Sequence, residues 1–308
     1  MSRPVLLPLL GLALCLGLAA CDSSVKQAGE NSDGSQSDSL TGVETPSAPD
    51  TPPMLGPAPD APTDGASDAP GAGAGRSVQV QNDLYNFAYS YPDAAGALPG
   101  LKAMLDADLA QQQGKTRRLA QADRDASDKS AADQMAGSTN TPIPFHAGER
   151  QINWKVVADL PNWLSLSGQG YAYTGGAHGN SWFGEILWDK NTNQERKPMD
   201  LFTSPANFLN AINAPFCAAL NRQRAAKRGG QANMGGTISE FTQCIDPTKE
   251  TVIFGSSNGQ AFDRVGILIP PYEAGPYSEG TYEVTLPVTP ALMNALKPQY
   301  RASFSPAG

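Results

Sequence analysis

Tyr85-Asn86-Phe87-Ala88-Tyr89-Ser90-Tyr91 places four aromatic side chains two residues apart. A period of two is that of a β-strand with one buried face. Just beyond it the period changes. Leu101, Met104, Leu105 and Leu109 fall near helical spacing, so residues 98–136 are expected to be helical, with a polar later part that is only partly ordered. Strand-like runs follow at 152–158, 163–166, 171–173 and 182–188. Ser204-Pro205 then reads as an N-cap followed by proline at the first helical position. That helix would bury Phe208, Leu209, Ile212, Phe216 and Leu220, with a kink expected at Pro215. Its basic end, residues 222–228, suits the negative helix terminus, and Gly229-Gly230 is the stop. Further strands are expected at 251–254, 265–269 and 281–286. A last helix from Thr289-Pro290 would bury Leu292, Met293 and Leu296. Strands and helices in mixed order, without regular βαβ alternation, predict an α+β fold: a mainly antiparallel sheet with a few packed helices. The folded part is expected over residues 78–304, with sub-regions of about 78–190 and 191–304. About 230 residues suffice for a sizeable core. No internal repeat is visible.

Upstream, Arg3 precedes an apolar run over residues 5–20 that is too short for a comfortable membrane span. It reads as a signal peptide covering 1–20. The run ends Leu18-Ala19-Ala20-Cys21, which resembles the lipobox of bacterial lipoprotein precursors. The resemblance implies cleavage before Cys21 and lipidation of that residue. Each buried methylene contributes about 0.8 kcal/mol, so several acyl chains hold a soluble domain at a bilayer. The expected location is the bacterial cell envelope, anchored by lipid and facing the periplasm. Asp22 resembles an inner-membrane retention signal and tilts the expectation toward that membrane.

Residues 21–77 read as a disordered tether. They are rich in Ser, Gly, Asp, Ala and Pro and bury too little apolar surface to offset ordering entropy. A flexible chain of this length has an end-to-end distance of about 40 Å. The chain as a whole carries a net charge of −8. Nine acids between Asp22 and Asp68 face only Lys26 and Arg76, so residues 77–308 are left near −2. An acidic tether on a nearly neutral domain argues against a nucleic-acid binder, which needs a basic stripe. The two histidines, His146 and His178, and four cysteines argue against a metal site of three or four His/Cys ligands. No metal and no cofactor are expected. Cys15 leaves with the signal and Cys21 takes the lipid. Cys217 and Cys244 remain and read as one disulfide of an exported domain, worth roughly 3 kcal/mol in the chain-entropy model. The alternative is a catalytic thiol, which the apolar helix face around Cys217 disfavours.

Two stretches are distinctive. One is Tyr173-Thr174-Gly175-Gly176-Ala177-His178-Gly179-Asn180, followed by Asp200-Leu201-Phe202. The other is Ile269-Pro270-Pro271-Tyr272-Glu273-Ala274-Gly275-Pro276-Tyr277-Ser278-Glu279-Gly280. In this order they resemble the extracytoplasmic domain family shared by the lysozyme-binding anti-sigma factor RsiV and the N-terminal, non-catalytic region of the peptidoglycan deacetylase PdaC. The resemblance spans roughly residues 80–300. It implies an envelope domain that, in the RsiV type, binds a protein. An anti-sigma role is not expected to carry over, because this chain opens on a signal sequence. Deacetylation is not expected either, because no H-x-x-x-H pair or T-F-D-D run is present.

Gly175, Gly176 and Gly179 permit positive φ, so the first motif reads as a tight turn between strands. His178 on that turn is a candidate acid/base group or simply a hydrogen-bonding loop residue, with Asp200 or Glu279 as acidic partner. In the second motif Pro and Gly stiffen a turn carrying Tyr272 and Tyr277. With Glu279 these form a candidate recognition surface, or else the tyrosines pack the turn onto the sheet. Trp154, Trp163, Trp182 and Trp188 read as core. The candidate binding loops thus comprise Tyr173, Gly175, Gly176, His178, Asn180, Tyr272, Tyr277 and Glu279, and no catalytic residue is assigned. The expected function is ligand binding, to a lysozyme-like muramidase or to peptidoglycan glycan. The alternatives are a cell-wall hydrolase or deacetylase-like enzyme using His178, and an assembly lipoprotein without a small ligand.

Overall fold

The computed structural model describes residues 73–231, 236 and 238–307. The expected signal peptide, Cys21 and the tether up to residue 72 lie outside the described residues. Two strands open the described chain: β1 (Arg76–Gln81) and β2 (Tyr85–Tyr91). Strand β1 takes in Arg76 and Ser77, which the sequence reading leaves in the tether. A short turn of helix, α1 (Asp93–Gly96), leads into α2 (Pro99–Met135). Strands β3 (Gly148–Asp159), β4 (Trp163–Tyr173), β5 (Asn180–Asp189) and β6 (Gln194–Arg196) follow. Then come α3 (Pro205–Lys227), α4 (Ser239–Thr242), β7 (Thr251–Gly255), β8 (Arg264–Ile269), β9 (Tyr282–Pro287) and α5 (Pro290–Ala295).

The strands form a six-stranded sheet in sequential order, β1 to β6, and a three-stranded sheet, β7-β8-β9. All pairs are antiparallel except β2 and β3. Parallel neighbours need a long crossover, and α2 supplies it. One βαβ unit thus sits inside an otherwise antiparallel α+β fold. Helix α2 is continuous to Met135, including the polar half for which partial order was expected. Its buried residues nevertheless stop at Ala120. The remainder is tied to the returning chain by polar contacts, such as the Ile143 N–H donating to the Ser130 hydroxyl.

Two cores result. Tyr85, Phe87, Tyr89 and Tyr91 pack with Leu101, Leu105 and Leu109 of α2 and with Leu164, Leu166, Ile186 and Trp188. The other core joins Phe208, Ile212, Phe216 and Leu220 of α3 to Val252, Phe254, Val265, Ile267 and Val284 of the small sheet. Full burial of one such side chain stabilises by about 1.5–3 kcal/mol. Trp163 and Leu187 alternate out of phase with Leu164, Ile186 and Trp188 and so join the α3 core. The central strands therefore serve both cores. Ser204 caps α3 through the Asn207 N–H at 3.1 Å, Thr289 caps α5, and Gly229 and Gly230 turn left-handed after α3. No helix among the described residues is long and apolar enough to cross a membrane.

Trp163 and Trp188 are buried, whereas Trp154 and Trp182 are only partly so. Gly170 pairs across the ladder with Trp182, and a Cβ added there would lie 2.1 Å from the indole Cε2. Overpacking of this kind costs about 1–3 kcal/mol. Gly170→Ala is expected to lower the unfolding free energy by that amount, read as a lower denaturant midpoint at unchanged slope; an unmoved midpoint would refute the contact.

Candidate functional site

A single stripe of α3 organises the loops around the second motif. Cys217, Asn221, Arg224 and Arg228 recur at helical spacing along one face. Cys217 is disulfide-bonded to Cys244, as the sequence reading expects, and is thereby removed as a candidate nucleophile. Arg224 is fully buried. It donates to the carbonyls of Ala274 (2.9 Å), Gln243 (2.7 Å) and Glu240, and to Asn221 Oδ1. Arg228 donates to the Phe241 carbonyl at 2.8 Å and grips Glu279 through two bonds of 2.7 and 2.8 Å. The basic end of α3 therefore does more than neutralise its own terminus. Its cations satisfy carbonyls of the one-turn helix α4, of Gln243 just after it and of the loop between β8 and β9.

Of the two acidic partners weighed for His178, Glu279 is engaged elsewhere. Its carboxylate does not face His178. It is clamped by Arg228 and accepts from the Tyr282 hydroxyl. Burial pushes the Glu279 carboxyl up, but the Arg228 and Tyr282 hydrogen bonds outweigh it and hold the group below the usual carboxylate range. The same burial and the same bond push the Tyr282 hydroxyl up to about 12.

His178, Tyr272 and Tyr277 do come together. The imidazole stacks on the Tyr277 ring with centroids 3.8 Å apart and planes 16° apart. Nδ1 lies 3.0 Å from the Gly179 carbonyl and Nε2 lies 3.2 Å from the Tyr272 hydroxyl. A carbonyl only accepts, so Nδ1 carries a proton, and in the neutral ring Nε2 then accepts from the Tyr272 hydroxyl. The Tyr277 hydroxyl donates to the same Gly179 carbonyl at 3.1 Å. The rings of Tyr272 and Tyr277 are 5.5 Å apart. Tyr272 is 49% exposed and sits at φ +74°, a left-handed conformation that costs a non-glycine residue about 1–2 kcal/mol. Tyr277 packs the loop, and Tyr272 is turned outward.

The remaining predicted residues frame this cluster. Gly175 and Gly176 both have φ +94°, and the Tyr173 hydroxyl closes the turn on the Gly176 carbonyl at 3.0 Å. Gly179 has no positive φ. It is required because a Cβ there would fall 2.4 Å from the Tyr171 ring. Asn180 is exposed at the first position of β5. His146 meets the Tyr173 ring edge-on at 6.3 Å, so both histidines border this turn. Asp200 is exposed in a short 3-10 turn, and its backbone carbonyl accepts from Lys297. Among the described residues no carboxylate bonds to the His178 ring, and no group of three His, Cys, Asp or Glu side chains is placed to hold a metal ion.

Residues 78–181 match the family model of the deacetylase PdaC. The match covers about a third of the chain, from β1 to the start of β5, and agrees with the resemblance drawn from the two motifs. It contains the glycine turn and His178 but stops short of Tyr272 and Tyr277. Two solved structures are similar at low identity. One is a DUF3298 family protein from Pseudomonas aeruginosa PAO1, 16% identical, covering 76% of this chain and 97% of that one with a TM-score of 0.45. The other is a DUF3298 family member from Bacteroides fragilis NCTC 9343, 17% identical, covering 70% and 91% with a TM-score of 0.45. No curated protein matches the chain.

Sequence reasoning missed one group beside this loop. Glu250, just before β7, is partly buried, and burial together with Glu273 and Asp246 pushes its carboxyl up to about 7. The PdaC-matched segment does not reach it. A lone Glu after a Lys carries no sequence signal.

Two pH responses of opposite sign follow. Glu279 has a depressed carboxyl, so its contribution is full above the ordinary carboxylate range and is lost on acidification. Glu279→Gln should lower the thermal midpoint at pH 7, with a smaller deficit at pH 3; equal deficits would sink the clamp. Glu250 has a raised carboxyl, so the fold binds its proton better than the unfolded chain does. Stability is therefore lost as pH rises from about 4.5 through about 7. Glu250→Gln should raise the thermal midpoint relative to wild type at pH 8 but not at pH 5, and a pH-independent difference would contradict this.

Proposed function

We propose that this chain is a lipid-anchored protein of the bacterial cell envelope whose folded part binds a ligand through the paired loops of His178 and Tyr272. Cys21 carries the lipid, the tether lifts the domain off the membrane, and Asp22 favours the inner membrane. The ligand is a protein of the lysozyme-like muramidase kind, with peptidoglycan glycan as the second choice.

The observation that carries this reading is the prebuilt ring cluster. Tyrosine is enriched among the residues that dominate binding energy, and its two side-chain torsions cost little entropy to immobilise. Here the Tyr272 hydroxyl is already bonded to His178 and its backbone is held in a strained conformation by the surrounding loop. Strain retained at an exposed aromatic residue is a feature of binding surfaces rather than of packing alone. The match to the PdaC model supports an envelope setting.

One finding favours a second reading: the matched family is described as a deacetylase. In that reading His178 acts as general base. Both of its ring nitrogens are engaged by Gly179 and Tyr272, so Tyr272 would have to give way to substrate.

Biosensor binding of the purified chain to lysozyme and to purified peptidoglycan tests the proposal. Tyr272→Ala should weaken retention at least tenfold on whichever ligand binds. No retention on either ligand rejects both. Deacetylase and muramidase assays on cell wall, with and without chelator, decide the second reading: activity in wild type that His178→Ala abolishes would establish it in place of the first.

A further inference from the structure

The loop that carries Tyr272 has a second flank. There, a cavity of about 510 Å³ opens between β5, the segment around α4 and the chain entering β7. Phe183, Ile245 and Pro270 give it apolar walls, and Cys244 lines it, so the disulfide to α3 pins that side. Its charged lining among the described residues is four carboxylates and one ammonium, that of Lys249.

The carboxylates are not equivalent. Asp246 is engaged by the Thr248 N–H and hydroxyl, and Glu240 accepts from the Ser239 hydroxyl. Glu250 is partly buried yet accepts no hydrogen bond and forms no ion pair with any described residue, Lys249 included. It also feels Glu273 and Asp246 as like charges. A carboxylate in a cavity with like-charged neighbours and no partner among the described residues leaves a local negative potential that those residues do not balance. The described residues place no three ligands for a metal ion. The apolar walls suit the methylene stem of a long basic group, whose charged head would reach Glu250.

We infer that this cavity receives the ammonium or guanidinium head of a basic ligand, with Glu250 as its counter-charge and Glu273 beside it. The inference goes beyond the ring cluster and does not require that the cluster bind anything. The chemistry has two sources: a lysine or arginine side chain offered by a protein, or a free polyamine.

Calorimetric titration of the purified chain at pH 8, where the Glu250 carboxyl is ionised, and 0.15 M salt separates them. At that salt exposed charges are screened beyond about 8 Å. The probes are a tetralysine peptide, the same peptide acetylated on every Nε, and spermidine. Tetralysine should bind, acetylation should weaken it at least tenfold, and Glu250→Gln should do the same. Asp133→Asn, the same loss of one negative charge at the exposed end of α2, should leave the affinity within twofold. The acidic stretch 22–76 is unchanged in every variant, so only the cavity's share responds. Spermidine binding as tightly as tetralysine assigns the site to free polyamines; tetralysine binding alone assigns it to protein side chains. Either result supports the inference. No binding of either probe, equal affinity of wild type and Glu250→Gln, or binding that survives acetylation overturns it. Should Glu250→Gln lose its fold by circular dichroism, Glu273→Gln carries the same comparison with an expected threefold loss. Lysozyme and peptidoglycan are absent from these titrations, so the result is independent of the ring-cluster test.

Discussion

Two arginines one helical turn apart hold together the part of the molecule that has no sheet of its own. Arg224 is buried, forms no ion pair among the described residues, and is stabilised by three backbone carbonyls and one side-chain amide oxygen. Those carbonyls belong to the segment around α4 and to the loop between β8 and β9. A guanidinium is suited to this because its donors lie in a fixed planar fork. Arg228 adds the bond to Phe241 and the pair with Glu279. With the Cys217–Cys244 disulfide on the same stripe, α3 acts as a spine onto which otherwise irregular chain is fastened.

The exposed features depend on that spine. Ala274 is the carbonyl partner of Arg224, and Glu279 closes the far end of the same loop. Between them Tyr277 is stacked against His178. From the other side, the glycine turn between β4 and β5 delivers the Gly179 carbonyl, which accepts from both His178 and Tyr277. Each loop is anchored to a different core, so their meeting fixes the ring cluster without a regular hydrogen-bond ladder. The left-handed Tyr272 is tolerable because its neighbours over-determine the loop. The cavity beside Glu250 shares this loop as one wall, so the aromatic cluster and the acidic hollow are positioned by the same constraint.

The two cores show how a mixed order of elements becomes one fold. The crossover helix α2 covers the aromatic face of β2, and the small sheet is covered by α3 and α5. Strands β3 to β5 lie between, and their alternation gives Leu164, Leu166, Ile186 and Trp188 to one core and Trp163 and Leu187 to the other. The glycines opposite the tryptophans are part of this arrangement. Gly170 leaves room for Trp182 to lie close over the ladder, a role that no turn preference announces.

Local physics made much of this legible. The alternation of Tyr85, Phe87, Tyr89 and Tyr91, the Ser204-Pro205 cap, the glycine stop after α3 and the turn at Gly175-Gly176 are decided within a few residues, and each reads correctly from the chain. So does the pairing of Cys217 with Cys244, because only those two cysteines remain once the others are assigned to export. Contacts between distant segments were not legible. Glu279 turned to Arg228 rather than His178, β2 paired in parallel with β3, and Glu250 was left in a cavity without a hydrogen-bond partner among the described residues. Each of these depends on groups brought together from tens of residues away, whose distances no local period encodes. Residue type and spacing therefore set the elements and their ends, and three-dimensional packing chose which charges are satisfied and which stay open to a ligand.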